Sequence, residues 1–283
     1  MSHGVARWLA RAVHLTHLID LGYRKFDRLR SGFITAFGSD QFFDEYNAVT
    51  YGASKSYRPE SAAFRRTLFD WEAEVVARFF PAPPARILVG GAGGGREALA
   101  LIEKGYSVVA FDPAEALVRA LRTRSESQSR LRVYTGSYAT LPQLVDSSGE
   151  DTVNLAEEDS FDAAIVGWAS FSHLRDDADR FETLLRFARL TRGPILVSYY
   201  PPLPLSNESR SSGRFERWIR KRMARRGHSI FSIDIGFYRL LSHTEVRDLV
   251  SRTGLKVLLF QETGTWPYVV IEGAGTEREA SRG

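Results

Sequence analysis

The chain has 283 residues, of which 43% are apolar and 25% charged, the balance of an ordinary globular fold with enough length to bury a sizeable core. It has no cysteine, which excludes disulfides, thiolate metal sites and a cysteine nucleophile and leaves the redox compartment open. A net charge of +4 favours an acidic partner only weakly, and there is no run of about 18 apolar residues of the kind a membrane span needs, so a cytoplasmic protein is the default expectation.

In chain order, residues 5–30 carry apolar positions at three- and four-residue spacing and predict an amphipathic helix rather than a signal peptide. Residues 31–59 are rich in aromatic side chains. Residues 60–80 predict a second helix with Phe64, Leu68, Trp71, Val75 and Phe79 on one face, ended by Pro81, Pro83 and Pro84. From there strands alternate with helices. Strand 86–90 precedes helix 95–104, strand 107–111 precedes helix 114–123, and strand 131–135 leads into an acidic stretch, 143–160, that reads as a solvated loop. Strand 161–166, helix 177–190 and strand 194–199 follow. Such alternation predicts a parallel sheet with helices on both faces and every strand's C-terminal end on one rim. Residues 205–228 interleave eight basic residues with Phe215, Trp218, Ile219 and Met223 and predict a basic helical insertion serving as a lid. Segment 229–241, helix 243–252 and strands 255–261 and 268–272 complete the chain, the last two close enough to pair as a hairpin. The expected organisation is an N-terminal helical cap over 1–59, an α/β domain over 60–273 and a flexible tail over 274–283.

Two features carry chemistry. The apolar strand Ile87-Leu88-Val89 runs into five glycines within residues 90–95, and a helical segment follows at once. Glycine leaves no Cβ in a ligand's way, so this loop offers bare amides and a helix N-terminus to a nucleotide-like group. The next strand ends in Asp112, about twenty residues on, where a carboxylate accepts hydrogen bonds from ribose hydroxyls.

Ile87-Leu88-Val89-Gly90-Gly91-Ala92-Gly93-Gly94-Gly95-Arg96, then Phe111-Asp112-Pro113, then Phe161-Asp162-Ala163-Ala164-Ile165-Val166-Gly167-Trp168 together resemble a class I S-adenosylmethionine-dependent methyltransferase, over roughly residues 60–272. The resemblance implies a Rossmann-like, seven-stranded, mostly parallel sheet with helices on both faces and an antiparallel last strand. It implies S-adenosyl-L-methionine as cofactor and methyl transfer to an O or N atom. Gly91, Ala92, Gly93 and Gly95 would pack against the methionine part, Asp112 would hold the ribose, and Pro113 would flank the adenine. Ser137 and Tyr138 would lie at the adenine edge, and Gly167 and Trp168 beside the reactive methyl. The segment before the first strand commonly covers the cofactor in this family, which makes Tyr46, Tyr51 and Tyr57 lid contacts and offers Arg58 and Arg65 to a carboxylate of cofactor or substrate. Two positions depart from the family's pattern: Val89 stands where an acidic residue is usual, and Gly136-Ser137 where an aspartate often follows the third strand.

On the expected active rim, His173 is the first candidate for a base that takes a proton from a hydroxyl or ammonium acceptor, and Tyr199 or Tyr200 the second. The six histidines are scattered and predict no metal site. Extra helices around the core suit an enclosed pocket and a small-molecule acceptor. A nucleic-acid or protein methylase using the arginine-rich insertion, a nicotinamide oxidoreductase reading Gly93-Gly94-Gly95-Arg96-Glu97-Ala98, and a non-catalytic cofactor-binding protein are the alternatives, and a homodimer stays open.

Overall fold

The computed structural model describes residues 3–125, 128–146, 151–158, 160–202, 218, 221–222, 229–264 and 266–274. Helix α1 (His3–Phe37) is followed by α2 (Asp40–Ala53), which starts where the Ser39 hydroxyl accepts a hydrogen bond from the Phe42 amide at 3.1 Å. Helix α3 spans Asp70–Phe79, ten residues shorter at its start than the apolar spacing predicts. Phe64 and Leu68 do pack on the same core as Trp71, Val75 and Phe79. They reach it from turns in which Ser61 donates to the Arg58 carbonyl and Phe64 to the Ser61 carbonyl. The chain crosses the glycine loop at Tyr57 before the helix begins.

Strands β1 (Arg86–Gly90), β2 (Ser107–Asp112), β3 (Leu131–Thr135), β6 (Ala163–Val166) and β7 (Pro194–Ser198) are parallel. Strand β11 (Tyr268–Glu272) runs antiparallel between β7 and β10 (Val257–Gln261). The order β10-β11-β7-β6-β1-β2-β3 joins the parallel strands that the alternation implied to the antiparallel last strand that the resemblance implied. Two short strands, β4 (Gln143–Val145) and β5 (Thr152–Asn154), extend it beyond β3. They correct the expected solvated loop over 143–160, because Leu144 and Leu155 are buried and anchor the segment to the core.

Helices α3, α4 (Arg96–Glu103) and α5 (Glu115–Ser125) cover one face of the sheet through Val75, Leu99, Leu101, Val118 and Leu121. Helices α6 (Asp177–Leu190) and α7 (His243–Thr253) cover the other through Leu184, Phe187, Val246 and Leu249. A third cluster, Phe43, Phe231 and Phe237, joins α2 to the hairpin β8 (Ser229–Ser232) and β9 (Gly236–Arg239). The predicted insertion 205–228 lies outside the described residues except for positions 218, 221 and 222. The same is true of the tail beyond residue 274. Among the described residues, no helix is long and apolar enough to cross a membrane.

Candidate active site

The C-terminal ends of β1, β2, β3, β6 and β7 form one rim, and the glycine loop opens on it. Gly91, Gly93 and Gly95 have φ of 63°, 53° and 86°, a conformation that side-chain-bearing residues rarely adopt. The loop is packed from both sides. A Cβ on Gly91 would stand 2.6 Å from the Tyr138 hydroxyl, and one on Gly167 2.5 Å from the Gly91 carbonyl oxygen. Asp112 closes the loop: one carboxylate oxygen accepts from the Gly93 amide at 2.7 Å and the other from the Ala114 amide at 2.8 Å, at the start of α5. Burial pushes its pKa up to about 6 against the pull of those two amides.

Behind the loop, Arg96 donates two bonds to Glu72, at 2.6 and 2.7 Å, and one to Glu97 at 2.6 Å, and its guanidinium lies 4.0 Å over the Phe69 ring. Glu97 also accepts from the Trp168 amide at 3.2 Å, so one buried ionic cluster ties α3 and α4 to the turn after β6. Burial raises the Glu72 pKa, and Arg96 opposes that shift. In the same turn Ala169 is buried at φ 52°, the only non-glycine with positive φ among the described residues, and its amide is held by the Ser198 hydroxyl at 2.9 Å. Such strain is retained where surrounding structure over-determines it, commonly at functional sites.

The roof comes from distant sequence. The Tyr51 hydroxyl lies 2.8 Å from His173 Nε2, while His173 Nδ1 lies 2.7 Å from the Phe237 carbonyl oxygen. A carbonyl only accepts, so Nδ1 carries the proton and Nε2 presents its lone pair to Tyr51. Burial lowers the His173 pKa, which keeps the ring neutral, and raises that of Tyr51, which keeps the phenol protonated. Asn47 fixes the same strand, accepting from the Phe237 amide at 2.8 Å and donating to its carbonyl at 3.1 Å. Tyr57 packs edge-on to Tyr51 at 4.9 Å, with its ring over Gly93 and its pKa pushed up to about 12 by burial. A chain of ring contacts then runs along the rim, from Tyr238 to Tyr200 at 5.4 Å, Trp266 at 5.5 Å, Trp168 at 5.0 Å and Phe69 at 5.1 Å.

Of the residues expected here, the structure brings together Gly91, Ala92, Gly93, Gly95, Asp112, Gly167, Trp168, Tyr51, Tyr57, His173 and Tyr200. Pro113 is exposed beside Asp112, and the Ser137 amide donates to the Thr140 hydroxyl at 3.0 Å. Tyr138 is buried under the loop, its hydroxyl bonded to that of Ser170. Other residues lie elsewhere. Tyr199 is fully buried and meets His243 Nδ1 at 2.8 Å beside α7, so it packs the core instead of facing the rim. Tyr46 bonds the Ile233 carbonyl at 3.0 Å and packs on Phe231. The Arg58 Nε donates to the Gly52 carbonyl at 2.8 Å, and Arg65 is exposed. Sequence reasoning missed Asn47, Phe69, Glu97, Tyr238 and Trp266. An acidic residue in the first turn after a glycine loop is the one local signal that pointed to any of them.

The donor set suits an adenosyl sulfonium. The loop is bare backbone at Gly91 and Gly93, and each Asp112 oxygen, with a single backbone partner, keeps a lone pair for a ribose hydroxyl. The Trp168 Nε1 is buried with no hydrogen-bond partner, an open donor on the rim. Residues 88–193 match the family model of a methyltransferase domain. No protein with a curated description matches the chain in sequence. Among solved structures, a SAM-dependent methyltransferase from Methanosarcina mazei is 16% identical, with 73% of this chain and 98% of that one covered and a TM-score of 0.52. The PH0226 protein from Pyrococcus horikoshii OT3 is 15% identical over 79% and 97%, with a TM-score of 0.56. The CcbJ methyltransferase from Streptomyces caelestis is 15% identical over 80% and 98%, with a TM-score of 0.55. At these identities the structural likeness establishes the fold, and the matched span holds the glycine loop, Asp112 and the turn after β6. Residues 88–193 thus carry a methyltransferase domain, and the chain around them has the fold of S-adenosylmethionine-dependent methyltransferases.

Proposed function

We propose that the chain methylates an O or N atom of a small-molecule acceptor held between the glycine loop and the roof formed by α2 and the β8–β9 hairpin. The observation that carries this reading is the row of ring contacts along the rim, Tyr57 to Tyr51 and Tyr238 to Tyr200, Trp266 and Trp168, beside the polar pair of Tyr51 and His173. Apolar walls with few placed polar groups suit a small ligand better than a nucleic-acid backbone.

When bound, S-adenosylmethionine supplies a methyl group on a sulfonium, already an activated leaving group. Gly91, Ala92, Gly93 and Gly95 would seat its methionine part, and Asp112 the ribose, with Pro113 and Ser137 at the adenine. The remaining work is alignment and exclusion of water, which can supply most of the acceleration. For an acceptor that carries a proton, the proton would pass through the Tyr51 hydroxyl to His173 Nε2. The Phe237 carbonyl holds the opposite ring nitrogen and fixes the tautomer. Tyr200, with its ring 6.3 Å from His173, is the second candidate.

Calorimetric titration with S-adenosylmethionine and with NADH tests the cofactor half of this reading. Binding of the sulfonium compound alone is expected, and preference for NADH overturns it. Turnover of candidate acceptors by His173→Ala across pH 6–9 tests the other half. A profile unchanged from the parent chain removes His173 as the base.

A further inference from the structure

Helix α1 is 35 residues and about 52 Å long, longer than its contact with the rest of the fold. Among residues 13–37, whose burial the structure describes, Gly32, Thr35 and Ala36 are the buried ones, packed near β8, and the Thr35 hydroxyl accepts from the Phe231 amide at 2.9 Å. Apart from Asp20, every residue from 13 to 26 is exposed. On the side facing away from the fold, Leu15, Ile19, Phe26, Phe33 and Phe37 fall on one stripe at spacings of four and seven residues. Their exposures are 59%, 63%, 62%, 49% and 38%, a row of large apolar side chains that a free monomer rarely leaves in water.

Basic charge concentrates in two segments of the sequence. Helix α1 contains six Lys or Arg against two Asp, and residues 205–228 contain eight against two Glu. These segments carry +4 and +6, which leaves −6 on the remainder of a chain whose total is +4. The described part of the second segment sits at the end of the stripe. The Trp218 ring is 5.3 Å from that of Phe37, and the Arg222 guanidinium lies over the Phe37 ring at 4.6 Å.

We propose that α1, with Trp218 and Arg222 beside it, docks flat on an anionic lipid surface, its stripe in the headgroup–acyl boundary and neighbouring cations such as Lys25 and Arg222 on the phosphates. A helix with a row of exposed aromatic and aliphatic side chains, further exposed apolar residues at Val13, Leu18 and Leu21, a net positive charge and a neighbouring tryptophan has the chemistry of an interfacial anchor. A second copy of the chain fits less well, because pairing along the stripe brings the two basic segments of each copy together. A nucleic acid fits less well because the ridge itself is Leu, Ile and Phe and carries no cation.

Vesicle sedimentation with the full chain tests this, comparing phosphatidylcholine alone with phosphatidylcholine plus phosphatidylglycerol. Binding to the anionic vesicles is expected to be at least about tenfold tighter, and to fall by at least as much in the double variant Ile19→Glu/Phe26→Glu with its circular dichroism unchanged. Arg222→Glu checks the charge, and is expected to weaken binding at low salt and to matter less at high salt. The same samples are run in analytical ultracentrifugation and against duplex RNA. Three results each overturn the proposal. One is the absence of preference for anionic vesicles. Another is binding that survives Ile19→Glu/Phe26→Glu. The third is a dimer, or an RNA complex, that the double variant dissolves while vesicle binding is nil.

Discussion

The floor and the roof of the crevice are built by opposite means. The floor is backbone: Gly90 to Gly95 and Asp112 lie within 23 positions, and the loop is closed by amide-to-carboxylate and amide-to-carbonyl bonds. The roof is side chains from remote segments, with Asn47 and Phe237 separated by 190 positions and Tyr51 and His173 by 122. A backbone floor tolerates changes in its neighbours but no added Cβ. A roof held by a handful of side-chain bonds can open while the sheet stays folded, as sites that admit ligands must. The two halves should therefore fail differently when broken.

The floor should show the largest effect. Asp112→Ala removes the acceptor proposed for the ribose hydroxyls, the closure of the loop on Gly93 and the bond to the Ala114 amide. With charge-assisted bonds worth roughly 1.5–3 kcal/mol each, affinity for S-adenosylmethionine should drop more than about a hundredfold in calorimetry. The same carboxylate predicts a pH dependence. Its pKa in the free chain is raised to about 6, and ribose hydroxyls bind the ionised form, so cofactor affinity should be flat above that pH and fall as pH drops below it. Affinity that holds steady down to pH 5 would place the ribose elsewhere.

Next comes the chemistry of the roof. His173→Ala should lower kcat by roughly a hundredfold while cofactor affinity stays near that of the parent, and Tyr51→Phe should lower kcat by about tenfold. Only neutral His173 accepts a proton, and burial holds its pKa below the usual histidine value. The kcat profile should therefore be level through neutral pH and decline only on the acid side of that value. If Tyr51 merely packs, Tyr51→Phe will leave kcat untouched, and the proton must reach His173 directly.

Where floor and roof touch, geometry sets the expectation. A Cβ on Gly94 would stand 1.7 Å from the Tyr57 carbonyl oxygen, a backbone atom that cannot swing aside. Gly94→Ala should cost about 2 kcal/mol in denaturant unfolding by overpacking, and should displace Tyr57 from over Gly93. Binding and stability would then move together, which distinguishes it from His173→Ala.

The same division explains what could be read from the sequence. Strands 86–90, 131–135 and 268–272 match the sequence expectation residue for residue, because each is rich in aliphatic, β-branched or aromatic residues and is followed at once by a glycine. The glycine loop and Asp112 were legible for a related reason: the conformation at Gly91 and Gly93 demands glycine, and the carboxylate falls at a fixed spacing. The hairpin β4–β5 was not, since strands of three residues show no period and acidic residues dominate around the buried Leu144 and Leu155. The start of α3 was misplaced because Phe64 and Leu68 keep helical spacing while reaching the core from turns. The pairing of Tyr51 with His173 has no local signature, and neither does the burial of Tyr199 beside His243 instead of on the rim.

The smallest effect is expected at the outer fastening of the roof. Arg175, just after β6, reaches Asp44 at 2.7 Å and Asp40 at 3.4 Å on α2, so it too ties the floor's turn to the covering helix. Both sides of this contact are substantially exposed, at 39% for Arg175 and 60% for Asp44, where water screens the attraction and ordering two side chains costs entropy. The Asp44 pKa is raised, because partial burial and the neighbouring Asp40 and Asp179 outweigh Arg175. A carboxyl whose folded pKa is raised adds stability only at low pH, before it ionises, and loses that contribution as pH rises. Near neutral pH, Asp44→Asn should therefore be almost neutral, and Arg175→Ala should shift unfolding by no more than about 0.5 kcal/mol, less in high salt. A large loss of stability or of kcat in Arg175→Ala would mean that charge at the rim, and not the Asn47–Phe237 and Tyr51–His173 bonds, holds the roof over the loop.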